Sequence, residues 1–169
     1  AISSFVLCTH KLPYMIKHKF KTVFGLVLFI GLLVGCSPEL FHTNTGKSKS
    51  TGTPGNGSIE NSWLLDYSAE NVKYFSLTSY YLLDMAYVHS KLYHTLEDTY
   101  EECKETCPNI DFKIMECGKK EGGKTMLHRT HNNGLSADFM VPKIKNSKQV
   151  KRYDRIGLYH YLLSFDSSG

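Results

Sequence analysis

The chain has 169 residues, 41% of them hydrophobic and 21% charged, a size that suits one domain with accessory segments and is too short for two well-buried cores. Its net charge of +4 is unevenly placed: Lys11, Lys17, Lys19 and Lys21 precede residue 36 with no acid among them, leaving 16 basic residues to face 16 acidic ones from there onward. The globular part is therefore neutral, which argues against nucleic acid as a partner, and the composition excludes collagen, a long coiled coil and a polytopic membrane protein.

In chain order, Met15-Ile16-Lys17-His18-Lys19-Phe20-Lys21 leads into an uncharged stretch from Thr22 to Gly35, rich in Leu, Val, Ile, Phe and Gly. The stretch falls short of the roughly 20 apolar residues that a spanning helix needs, and with its positive flank it reads as a signal-peptide core, a short anchor or buried helix being the alternative. Residues 1–14 precede a plausible initiator, Met15, and are open to being upstream sequence. The apolar stretch closes with Leu33-Val34-Gly35-Cys36-Ser37, which resembles the lipobox of bacterial lipoproteins. That resemblance implies lipid on Cys36, a periplasmic location after export, and attachment to a membrane. Each buried methylene would contribute about 0.8 kcal/mol, so two or three acyl chains suffice as an anchor.

Residues 36–61 are poor in apolar side chains and rich in Gly, Ser and Thr, which predicts a flexible tether. A phosphate-binding loop is rejected, because no apolar strand precedes these glycines and no Gly-Lys-Ser/Thr follows at the required spacing.

Residues 62–169 remain as the globular part. Leu77, Tyr80, Tyr81, Asp84, Val88, Leu92 and Leu96 recur at three- and four-residue intervals, predicting an amphipathic helix over 76–99, capped by Ser76 or Ser79. A second helical piece is expected to run to Pro108, which forbids continuation. Residues 111–117 alternate polar and apolar and read as a strand; 118–124 form a loop with Gly122-Gly123 as its flexible point; 137–141 read as a short strand ended by Pro142. Residues 143–155 are polar, and 156–165 suggest a further strand. A long helix with non-alternating strands indicates an α+β fold. Tyr80, Tyr81, Tyr87 and Tyr93 are expected in the core and at its rim. His89 and His94, five residues apart on the predicted helix, are expected to be exposed, and the acids Glu97, Asp98, Glu101 and Glu102 to form a solvated face. Cys103 and Cys107 lie four apart and Cys117 ten further on, without the paired C-x-x-C knuckles of a thiolate zinc site; a Cys103–Cys107 disulfide and unpaired buried cysteines both remain open. No G-x-S-x-G elbow supports a serine nucleophile.

The densest polar cluster is Gly122-Gly123-Lys124-Thr125-Met126-Leu127-His128-Arg129-Thr130-His131-Asn132-Asn133-Gly134-Leu135-Ser136-Ala137-Asp138. A tight turn at Asn133-Gly134 followed by a strand can bring the His131 imidazole and the Asp138 carboxylate to one point. Spacing alone leaves two readings open, a hydrogen-bonded loop pair and a pair of metal ligands.

The run from His128 to Asp138 resembles the H-R-S-H-Q-x-G-L-D-x-D motif of the penicillin-insensitive murein endopeptidases, members of the LAS metallopeptidases, in which a Gly-Gly loop also precedes the first histidine. The similarity covers mainly residues 111–142. It implies an LAS-like α+β domain, a small mainly antiparallel sheet with a packed helix. It implies zinc held by His131 and Asp138, His128 as an accompanying active-site histidine, and hydrolysis of the D-alanyl–diaminopimelyl cross-links between peptidoglycan peptide stems. Arg129 could meet a substrate carboxylate, an intraprotein ion pair being its alternative role. Ser136 stands where the family pattern has Asp, a change expected to alter hydrogen bonding around the ligands and not ligation itself. The family draws its third ligand from a downstream His-x-His segment. The sole later histidine is His160, in the apolar run Leu158-Tyr159-His160-Tyr161-Leu162, where a strand residue is the expected role. The domain is thus expected to be incomplete at its C-terminus and the 169-residue chain inactive by itself. A non-catalytic or degenerate cell-envelope lipoprotein, and a related D-alanyl-D-alanine-type carboxypeptidase, are the alternatives.

Overall fold

The computed structural model describes residues 21–25, 38–125 and 128–154. The chain divides into two compact units, 1–37 and 38–169. In the first, residues 21–25 are helical. The rest of the predicted signal peptide, the lipobox with Cys36, the expected strand over 156–165 and His160 lie outside the described residues. Among the described residues no helix is long and apolar enough to cross a membrane.

The second unit is α+β. It begins with a short helix α1 (Pro38–Phe41) and continues through strands β1 (Lys49–Thr53), β2 (Asn56–Glu60), β3 (Trp63–Leu64) and β4 (Val72–Tyr74). Helix α2 (Leu77–Tyr81), strand β5 (Tyr87–Val88) and the long helix α3 (Ser90–Thr106) follow. Strands β6 (Phe112–Ile114), β7 (Phe139–Met140), β8 (Ile144–Lys145) and β9 (Lys148–Gln149) and a 3-10 turn (Lys151–Asp154) complete it. The strands form small sheets: β1 with β2, β3 with β5 and β8 with β9 are antiparallel pairs, and a three-stranded sheet has the order β4-β6-β7. Within the last, β4 and β6 are parallel and β6 and β7 antiparallel.

The segment expected to be a tether departs from that expectation. Residues 49–60 form the β1–β2 hairpin, paired from Lys49↔Glu60 to Thr53↔Asn56 around Pro54-Gly55. Proline presets φ for the first turn position, and Ile59, the one large apolar residue here, is buried. Backbone groups that composition does not count hold this polar strand pair in place: Ile59 N–H donates to Glu121 O at 3.2 Å, and Asn132 N–H donates to Pro54 O at 2.8 Å.

The helix predicted over 76–99 is two helices with a buried extended run between them. Ser76 caps α2 by accepting the Ser79 N–H, and Asp84 at φ 57° then reverses the chain. Residues 85–90 are all buried, with Tyr87 and Val88 paired to Leu64 and Trp63. A short, fully buried apolar run carries no period of its own, so it prolonged the apparent helical stripe. Helix α3 starts at Ser90, ends at Thr106 with Cys107 as C-cap, and stops before Pro108 as expected.

His89 is the other correction: only 7% exposed, it caps α3, its Nδ1 accepting the Lys91 N–H at 3.0 Å. Burial, then the nearby Lys91 charge, lowers its basicity. His94 is exposed as expected. Tyr74, Tyr80, Tyr87 and Tyr93 pack with Leu64, Leu65, Val88, Leu96 and Ile114 in one core. The buried phenols of Tyr74 and Tyr80 donate to Met85 O and Leu65 O, which satisfies their polar ends. Cys103, Cys107 and Cys117 are free thiols, Cys117 completely buried and Cys107 exposed.

Candidate metal centre

The β6–β7 ladder brings the first part of the site together. Beyond the pairing of Ile114 with Phe139, Met115 N–H donates to Asp138 O at 2.8 Å and Asp138 N–H donates to Glu116 O at 3.0 Å. Two residues after β6 thus face one before β7, the pattern of a bulge, a device that re-aims side chains. Gly118 then pairs with Tyr87 of β5.

The second part is the turn over His131–Gly134, closed by Gly134 N–H to His131 O at 3.3 Å. His131 lies in the left-handed region at φ 76°. That conformation is costly for a non-glycine residue and persists only where the surroundings impose it. The surroundings do so from three sides. The β1–β2 hairpin takes Asn132 through Pro54 O and Gly55 O and binds Asn133 O through the Ser50 hydroxyl at 2.6 Å. The start of α3 contributes His89 N–H to Gly134 O at 2.8 Å. The Gly122-Gly123 loop supplies Gly123 N–H to Asn132 O at 2.9 Å. Gly122 has φ 74°, and a Cβ there would meet Asn132 O at 2.2 Å, so the loop approaches this closely only as glycine.

Three side chains converge: one ligand atom from each of His128, His131 and Asp138 lies within 4.8 Å of the others. His131 Nε2 is 3.3 Å and His128 Nδ1 3.6 Å from Asp138 Oδ2. Donors bound tetrahedrally at 2.0–2.2 Å stand about 3.3–3.5 Å apart, so these separations suit a shared cation. His131 is 1% exposed, and its Nδ1 lies 3.0 Å from both the carbonyl and the hydroxyl oxygen of Ser136. An Nδ1–H donated to the Ser136 carbonyl leaves Nε2 as a lone pair, the arrangement metal-ligating histidines adopt. Nε2 has no hydrogen-bond partner although it is buried. Buried polar atoms rarely stay unpaired, and a cation between His131 and Asp138 would satisfy this one. The Asp138 side chain is 44% exposed, leaving the assembly open to solvent on that side.

His128 stands at the edge of the assembly, its backbone tied to the Thr125 hydroxyl, its ring edge-on to that of His131 at 5.5 Å. Glu116, which periodicity had left among the strand residues, is buried; Oε2 contacts His128 Nε2 and Oε1 accepts from the Ser79 hydroxyl at 3.2 Å. Arg129 is exposed, and no ion pair engages it among the described residues. Cys117 lies close behind the site, yet burial, and then the charges of Asp138 and Glu116, push its thiol far up, and it is not among the side chains whose ligand atoms converge.

The arrangement presents two imidazoles and one carboxylate to a partly open point, a donor set that can hold a divalent metal. No protein-family model matches this chain, and no curated protein matches it.

Proposed function

We propose that the protein is a zinc metalloendopeptidase of LAS type that hydrolyses the D-alanyl–diaminopimelyl cross-links of bacterial peptidoglycan from a lipid-anchored, periplasmic position. The observation that carries this reading is the buried, unpartnered Nε2 of His131 aimed at the Asp138 carboxylate 3.3 Å away. Histidines with one carboxylate and an open face are the ligand chemistry of catalytic zinc in hydrolases, and the surrounding residues carry the endopeptidase-like motif.

Zinc bound there would supply Lewis-acid polarisation of the scissile carbonyl and lower the pKa of a water to about 7. The chain's own residues do the positioning. Ser136 holds the His131 tautomer, the hairpin and the Gly122-Gly123 loop hold its backbone, and Asp138 offers its carboxylate from the solvent side. Arg129, exposed one residue after His128, is the residue proposed to meet a carboxylate of a peptide stem. With a zinc-activated water in place of a serine as nucleophile, such a site would be indifferent to β-lactams.

The test is digestion of purified cross-linked muropeptide dimers by the natural full-length protein. Conversion to monomers that is abolished by EDTA, restored by zinc and lost in His131→Ala supports the reading. A zinc-loaded protein that leaves dimers intact while trimming the terminal D-alanine of monomers would make it a carboxypeptidase. Binding of peptidoglycan without hydrolysis would make it a wall-associated lipoprotein.

A further inference from the structure

The resemblance places His128 beside the metal as an accompanying residue, whereas the carboxylates on either side of its ring give it a defined direction. Its ring contacts a carboxylate on each side, Glu116 at Nε2 and Asp138 at Nδ1. The two acids are not equivalent. The Glu116 side chain is 9% exposed and anchored from behind by the Ser79 hydroxyl, while Asp138 is 44% exposed and shared with His131. A buried carboxylate must be paired, and among the described residues the Ser79 hydroxyl donates to Glu116 Oε1 while the His128 ring faces Oε2. In a neutral imidazole one nitrogen carries the proton and the other the lone pair, and the partner of the first selects which is which.

We propose that Glu116, braced by Ser79, is a positioning residue. It accepts the Nε2–H of His128 and so turns the Nδ1 lone pair of that ring to the point His131 and Asp138 already face, making His128 a third metal ligand. This rests on the metal site of the proposed function and adds how its third arm is held. The two histidines are then set by the same device in opposite senses. Ser136 takes the Nδ1–H of His131 and frees Nε2; Glu116 takes the Nε2–H of His128 and frees Nδ1. All three ligands and both orienting groups come from residues 116–138, and Ser79, which braces Glu116, comes from α2.

Two measurements on the whole 169-residue chain test this. The first is the 15N NMR tautomer of His128 in metal-free protein, read from spectra in which the ring signals are those of a neutral imidazole. The Nε2–H form is expected; a predominant Nδ1–H form overturns the proposal without any substitution. The second is zinc affinity by competition with a chromophoric chelator. Glu116→Ala is expected to weaken binding roughly 10- to 100-fold, as loss of an orienting partner typically does. Glu116→Gln, whose amide oxygen can still accept from Nε2, is expected to restore most of the affinity and the tautomer. His131→Ala and Asp138→Asn test the site itself. If they abolish zinc binding while Glu116→Ala and His128→Ala bind like wild type, the Glu116 proposal falls and the metal site stands. If the wild-type chain takes up no zinc, both fall together.

Discussion

At the scale of single residues the chemistry is divided between groups that burial silences and groups that packing aims. Cys117 is silenced. It is fully buried among core side chains with the Asp138 and Glu116 charges nearby, so its thiolate is strongly disfavoured. Of the three cysteines among the described residues, iodoacetamide at neutral pH is therefore expected to modify exposed Cys107 first and half-buried Cys103 more slowly, and Cys117 only after denaturation. Peptide mapping of the alkylated protein checks this; labelling of Cys117 in the folded protein would show the core open at the site. His89 is held neutral in a related way. Its pKa is lowered from 6.5 by burial and then by Lys91, and that of His42 by burial and then by Lys120. Below about pH 6.5 the unfolded chain binds protons that the folded chain declines, so stability falls on acidification from about pH 7 to pH 5. His89→Asn, neutral throughout and a good helix cap, is expected to flatten that fall in Tm, leaving the part due to His42. An unchanged slope would mean that His89 is protonated in the fold.

At the scale of elements, the piece least visible in the sequence supports the site most directly. The β1–β2 hairpin is read from composition as a tether because hydrophobic pattern measures only side-chain burial, and these strands are held by backbone pairing and by Asn132 and Asn133 from a turn more than 70 residues away in sequence. Long-range polar contacts leave no period. A Cβ on Gly57 would lie 2.4 Å from Thr51 O and 2.9 Å from the Asn133 side chain. Gly57→Ala is thus expected to cost about 1–3 kcal/mol as overpacking and to weaken zinc binding by displacing the His131 turn. Lys49→Ala is the control on the same hairpin. It removes a 3.7 Å ion pair with Glu60 whose side chains are both mostly exposed, and such pairs contribute little. Equal zinc affinity of Gly57→Ala and wild type would show that the hairpin is not a support. The motif from His128 to Asp138 was legible because its ligands lie close in sequence and a local turn joins them. Glu116 left a fainter mark. In the strand alternation it shares the phase of Phe112 and Ile114, so a carboxylate falls on a face that turns inward, and a buried acid in that position needs a partner. The helix boundaries failed for the opposite reason: residues 85–90 are all buried and the first four of them are apolar, so periodicity continued through them.

At the scale of the folded unit from residue 38 onward, the site is a junction. The hairpin, the start of α3, the Gly122-Gly123 loop and the β6–β7 ladder each hold one part of it, so a cation bound there would couple to folding beyond the residues that hold it. Without an ion the junction keeps a costly arrangement: His131 is in the left-handed region with Nε2 buried and without a hydrogen-bond partner. Unfolding releases both penalties, whereas binding offsets the second and makes the geometry needed for the first worthwhile. Zinc that binds the folded state alone stabilises it by about 2.7 kcal/mol at a free concentration 100 times Kd. For a unit of this size that corresponds to an increase in Tm on the order of 10 °C. Thermal melts with and without zinc are expected to show this increase, EDTA to reverse it, and Asp138→Asn to remove most of it while leaving the metal-free Tm within a few degrees of wild type, since that side chain is partly exposed. An increase in Tm that survives both Asp138→Asn and His131→Ala would place the stabilising ion elsewhere, and the junction would then be a structural hydrogen-bonded turn.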